Sequence, residues 1–158
     1  MKGNTKFITH TAIIAATYVI LTFIASALGL SSGVIQIRFS EAMVILPIFT
    51  TAAIPGLSIG CFLSNILTGC VLWDVIFGTV ATLLGAIGTY YMRKTPYLAS
   101  VPPVLSNTLI VPFVLRYAYG APGSIPFFML TVGIGEIISC AGLGTLLYSA
   151  LKKTKHIF

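Results

Sequence analysis

The chain has 158 residues, of which 57% are apolar and only 8% charged, with a formal net charge of +6 and a mean hydropathy of +1.02. About a quarter of the residues in a soluble domain carry charge, so this chain has too few polar groups to cover itself in water and is built for lipid. That leaves one membrane domain over residues 1–158 and no room beside it for a soluble catalytic domain.

The expected elements follow from apolar length, since a spanning helix needs roughly 20 apolar residues, with 17–25 as the working range. Residues 7–28 form the first span. Its "IASA" at 24–27 has the small residues of a signal-peptidase site, but the apolar run before it is longer than the h-region of a secretion signal, so it is expected to stay as a span. The loop 29–39 follows. There Ile35, Ile37 and Phe39 alternate with Gln36, Arg38 and Ser40, which predicts an extended lid with a polar face. Residues 40–72 are too long for one span and too short for two of full length. Pro55-Gly56 marks a turn inside them, which predicts two short helices, 40–53 and 57–70. The remaining spans are 75–92, closed by Arg93-Lys94; 97–118, with Pro102 and Pro103 in the first turn, where a missing N–H costs least; and 125–151, closed by Lys152-Lys153.

Charge supports a count of six. With six spans both termini share a face with the loop holding Arg93 and Lys94, which gathers Lys2, Lys6, Arg93, Lys94, Lys152, Lys153 and Lys155 there, seven of the nine cations. The positive-inside rule makes that face cytoplasmic. With five spans the terminal lysine clusters would fall on opposite faces. Cations in small groups beside apolar runs are topology signals, not a nucleic-acid surface.

The other polar groups then form a set. Arg38, Glu41 and Asp74 fall at outer helix ends, while Glu136 lies eleven residues into the last span and Asn65 and Asn107 at intermediate depth. Ionisable groups at such depth are costly and face a bundle interior or a cavity, which predicts a polar pocket opening outward. Structural roles are open for most of them. Ser40 is a good N-cap, and Glu41 in the first turn after it is favourable by itself, with Arg38 as a partner. Asp74 has the place of a cap, Asn65 and Asn107 of helix-bridging amides, and Arg116 of a snorkelling cation. Glu136 has no cap or lysine neighbour to explain it. Gly56, Gly60, Ser64 and Thr68 repeat every four positions, as do Ala12 and Ala16, and Gly133, Gly135, Gly142 and Gly144 crowd the last helix. Such faces let helices approach closely.

Cys61, Cys70 and Cys140 sit in apolar runs without metal-ligand spacing, and His10 and His156 lie near opposite ends, so the thiols are expected to be small core residues and no metal site is expected. Neither a catalytic motif nor a P-loop is present. A pocket without its own ATPase implies an energy source on another chain.

The segments "RFSEAMVILPIFTTAAIPGLSIGCFLSNILTG", "WDVIFGTVATLLGA", "PPVLSNTLIVPFVL" and "GIGEIISCAGLG" resemble the QueT family, substrate-binding S components of energy-coupling factor (ECF) transporters assigned to queuosine precursors. The resemblance covers nearly the whole chain. It implies an all-α, six-transmembrane-helix S-component bundle in the bacterial plasma membrane, with both termini cytoplasmic. The implied partners are a scaffold T component and two cytoplasmic ATPases that use the ATP, with no cofactor in this chain. It also implies docking through Ala12 and Ala16, a lid at 29–39, and toppling of the loaded protein within the bilayer. A 7-deazaguanine base presents an N1–H and a 2-amino donor side by side, suited to a carboxylate, together with a carbonyl acceptor and a flat face. On that chemistry the substrate-binding set is Arg38, Glu41, Asn65, Trp73, Asp74, Asn107 and Glu136, with Glu136 on the guanine edge, Trp73 stacking, and Asp74 or Glu41 near a 7-substituent. An S component for a different vitamin or heterocycle is the alternative, because the fold does not determine the cargo.

Overall fold

A computed structural model describes residues 2–31 and 35–153. Lys155, His156 and lid residues 32–34 lie outside the described residues, as do the side chain of Lys2 and any processing of the N-terminus. Among the described residues all regular structure is helical: α1 (Lys2–Ala27), the 3₁₀ helix η1 (Phe39–Ile48), α2 (Ala53–Leu67), α3 (Leu72–Tyr91), α4 (Val101–Tyr117) and a long final helix, α5 (Ile125–Lys153). Helices α1, α3 and α5 are long and apolar enough to cross a membrane. Within α5, Ile137–Leu143 is π-helical.

The helices are arranged in sequence about a short central helix. Each of α1 to α4 packs against the next, and η1 touches α1, α2, α3 and α5. Residues Ser40, Glu41 and Met43–Pro47 of η1 are accordingly buried. Ten residues rise about 15 Å as an α-helix but about 20 Å as a 3₁₀ helix, so the tighter winding lets a short segment reach further through the bundle. Three expectations change here. The expected helix 40–53 ends at Ile48, and the turn falls at 49–52 instead of Pro55-Gly56. Pro55 and Gly56 lie in the first turn of α2, where proline sacrifices no intrahelical bond. Arg38, in an extended conformation, holds the N-cap position of η1, so Ser40 is inside the first turn and its buried Oγ has no hydrogen-bond partner.

The small residues set the helix spacing. A Cβ on Gly60 would lie 2.7 Å from Tyr18 Cβ and 3.0 Å from the Ala15 carbonyl, and one on Gly56 would lie 3.0 Å from Ile14. Gly60 and Gly56 therefore bring α1 and α2 together over a core of Ile14, Tyr18, Val44, Leu57 and Cys61. Gly85 similarly admits Pro103 of α4, where an added Cβ would come within 2.7 Å of Pro103 Cα. Gly60→Val is expected to force α1 from α2 and cost about 1–3 kcal/mol of overpacking, read as a lower thermal midpoint in detergent. An unchanged midpoint would show that this contact is slack.

The basic residues gather at one end. Thr11 Oγ1 donates to the Ala52 carbonyl, beside the 49–52 turn, so the stretch of α1 that carries Lys6 ends there. Tyr148 of α5 packs on Phe49 at the same turn and on Tyr97 in the loop after Arg93 and Lys94. Arg93 lies over the Tyr90 ring, 4.2 Å from its centroid. Arg38 and Arg116 are at the opposite end.

Candidate functional site

Two polar cavities lie at that opposite end, one behind the other. The inner cavity, about 20 Å³, is lined by Gln36, Arg38, Glu41, Gly78, Thr82, Asn107, Val111, Val132 and Glu136. The outer vestibule, about 340 Å³, is lined by Thr22, Ser26, Ser31, Asn65, Thr68, Cys70, Asp74, Leu115 and Tyr119. Gln36, Arg38 and Val111 line both, so the lid segment is the partition between them.

The inner cavity holds two carboxylates. Glu41 and Glu136 are 2% and 8% exposed, and one carboxylate oxygen of each lies within 4.8 Å of the other and of Cys140 Sγ. Three neighbours orient the pair. The Tyr18 hydroxyl donates to Glu41 Oε1 at 2.5 Å. The Cys140 thiol donates to Glu136 Oε2 at 3.1 Å. The Asn107 amide faces both carboxylates. Glu41 Oε2 is buried without a hydrogen-bond partner. Two acceptors this close in a low-dielectric interior favour a ligand that brings N–H donors or a cation between them.

The partition is held to α5 by backbone contacts. The Arg38 N–H donates to Ser139 Oγ at 3.1 Å, within the π-helical stretch. Gly135, one turn earlier, sits directly under the Gln36 carbonyl, leaving no space for a Cβ. The Arg38 side chain donates to Gln36 Oε1 at 3.5 Å, and among the described residues it forms no direct ion pair with Glu41. Desolvation opposes its charge, but the Asp74 and Glu41 carboxylates favour the charged guanidinium and outweigh it.

In the vestibule wall, Asp74 Oδ2 accepts from the Tyr119 hydroxyl at 2.8 Å, joining α3 to the loop after α4. Partial burial, and then the Asp74 carboxylate beside it, push the Tyr119 hydroxyl above its ordinary range, so it stays a donor at neutral pH. Asn65 Nδ2 donates to the Asp74 backbone carbonyl at 3.3 Å, a bridge between α2 and α3.

The structure thus brings Arg38, Glu41, Asn107 and Glu136 together around the inner cavity and sets Asn65 and Asp74 in the vestibule. Trp73 lines neither. It is 58% exposed and stacks on Phe77 along the outer face of α3. The thiols also part company: Cys61 is a core residue, whereas Cys70 lines the vestibule and Cys140 belongs to the carboxylate cluster. Tyr18, Gln36, Thr82, Tyr119 and Cys140 were not singled out for the site from sequence. A hydroxyl or thiol in an apolar run carries no sign of its direction, though Tyr18 stands one turn from each of Ile14 and Thr22 and so on a predictable face of α1.

Comparison with known proteins agrees with the resemblance. The family model described as QueT transporter matches residues 8–153. A curated relative, the "Queuosine precursor transporter QueT" of Lactococcus lactis subsp. cremoris (strain MG1363), is 40% identical over 84 residues, which is 52% of this chain and 48% of that relative. The chain therefore aligns with about half the length of that relative. No solved structure matches.

Proposed function

Since the chain belongs to the QueT transporter family, we propose that it is the substrate-binding S component of an ATP-driven ECF transporter that captures a queuosine precursor, either a 7-deazaguanine-type base, queuine or queuosine. The observation that carries this reading is the buried pair Glu41 and Glu136, facing a small cavity that the Gln36–Arg38 segment separates from a polar vestibule. Glu136 accepts the N1–H and 2-amino donors of the guanine edge, and the unpartnered Glu41 Oε2 takes a further donor. Asn107 and Arg38 supply donors to the ligand carbonyl. The 7-substituent points outward to Asp74 and Asn65, and Tyr119 takes the stacking role expected of Trp73. The inner cavity has room for about one water, so the Gln36–Arg38 partition swings aside when the base enters.

The positive-inside rule turns the basic end to the cytoplasm and the vestibule outward in the bacterial plasma membrane. This chain works without a catalytic site or cofactor of its own. A T component and two ATPases supply transport energy. Ala12 and Ala16 support docking because both are exposed on α1, while Ile14, Ala15 and Tyr18 turn inward. Ala16→Leu is expected to leave ligand affinity unchanged and to cut co-purification of the scaffold and ATPases. Undiminished co-purification would move docking to another face.

The cargo is tested by titrating the purified protein with cyano- and aminomethyl-7-deazaguanine, queuine and the nucleoside while following thermal stabilisation. At least one is expected to raise the midpoint. Stabilisation by an unrelated vitamin and by none of these would reject the cargo and keep the S-component reading.

A further inference from the structure

A third cavity, apart from the two polar ones, lies on the outside of the bundle. It is an open, apolar groove of about 400 Å³ between α3 and α4, walled by Phe77, Leu109, Ile110, Phe113 and Tyr117, with Trp73 at its vestibule end. Two aromatic pairs form its rims: Trp73 stacks on Phe77 with centroids 5.8 Å apart, and Phe113 on Tyr117 at 6.5 Å. Along α4 the groove runs from Ala118 down to Leu109, a helical length of roughly 14 Å. One leaflet of a bilayer contributes about 15 Å of hydrocarbon, so the groove is as deep as one acyl chain reaches. Trp and Tyr at its mouth are the side chains that settle at the membrane–water boundary.

Charge at the mouth selects among lipids. Two arginines, Arg38 and Arg116, occupy this end of the molecule, and Arg38 is turned into the polar cavities. Arg116, next in the chain to Tyr117 of the groove wall, is exposed and makes one hydrogen bond, from Nη1 to the Ala121 carbonyl at 3.3 Å, so the rest of its donor fork is available to a ligand. A guanidinium there pairs with a phosphate, and no described carboxylate lines the groove to compete, since Asp74 faces the vestibule and is bonded to Tyr119.

We propose that the α3–α4 groove is a binding site for an anionic phospholipid, with one acyl chain between the aromatic rims and the phosphate on Arg116. The site holds the vestibule end of α3 and α4 at a fixed depth in the bilayer. It is independent of the cargo, and its test needs no transport substrate.

Native mass spectrometry of the detergent-purified protein, with phosphatidylglycerol or phosphatidylcholine added, reads the site directly. One phosphatidylglycerol is expected to be retained in preference to phosphatidylcholine. Arg116→Gln is expected to cut that preference roughly tenfold, the change for one lost charge-assisted hydrogen bond. Leu109→Trp fills the groove and is expected to abolish retention of both lipids. Ile110→Trp serves the same purpose if the first variant does not fold, and Arg116→Gln is an exposed change that reads the headgroup in either case. Equal retention of the two lipids by the unmodified chain, or full retention by a groove-filled variant, would overturn the proposal. So would a dimer that disappears on filling the groove, since that assigns the face to a second copy.

Discussion

Glu136→Gln is expected to weaken binding of a 7-deazaguanine ligand by roughly 100-fold or more while leaving the protein folded. The glutamate is the acceptor assigned to two adjacent ligand donors, and it sits deep in the bundle with Cys140 on one oxygen. Glutamine keeps the shape and one acceptor oxygen, so the Cys140 contact and the packing survive. Its amide NH₂, however, faces a ligand donor in a space closed to water, and that mismatch has no compensation. Calorimetric titration of the folded variant, with its thermal midpoint checked first, decides the matter: wild-type affinity would remove Glu136 from the guanine edge. Glu41→Gln is the companion measurement, because Tyr18 can still donate to the new amide oxygen and only the unpartnered side of the group changes.

The second large effect is expected at Gly135, a residue that touches no ligand in this reading. The three atoms nearest to an added Cβ there are the backbone O, C and N of Gln36, with the carbonyl in outright overlap. No rotamer change relieves a clash with backbone, so Gly135→Ala must lift the Gln36–Arg38 segment off α5 and break the Arg38 N–H to Ser139 Oγ bond. Overpacking of this kind costs about 1–3 kcal/mol. Carried by the partition, that is a rise of roughly five- to 150-fold in the ligand off-rate. Gly133→Ala is the control on the same helix, since its Cβ would meet only Thr108 at 3.4 Å, an ordinary contact. Stopped-flow dissociation should separate the two variants. Equal off-rates would show that the lid segment does not hold the ligand.

Sequence and structure part company for identifiable reasons. Trp73 and Asp74 are neighbours in the chain and looked like one unit of a pocket. Consecutive residues on a helix point about 100° apart, so Asp74 enters the vestibule and Trp73 faces outward. Pro55-Gly56 looked like the turn between two short helices, yet the same pair suits a helix start, and the buried contact of Gly56 with α1 uses it there. Glu41 lies in the first turn of its helix, as its place after Ser40 suggests, but the sequence does not show what its carboxylate meets. Its actual partner is Tyr18, 23 residues away on α1.

What the amino-acid sequence determined by itself was whatever lipid prices heavily. Apolar length marked the helices, lysine and arginine clusters marked one end, and a carboxylate deep in an apolar run marked Glu136, because each follows from the cost of placing charge or backbone in hydrocarbon. The tertiary structure alone decided which polar groups meet. It wound residues 39–48 as a 3₁₀ axis, set Glu41 beside Glu136 and Cys140, and divided the polar space at Gln36 and Arg38. Those outcomes depend on helix rotation and on close approach at Gly60 and Gly135. Both are set by packing between segments far apart in the chain.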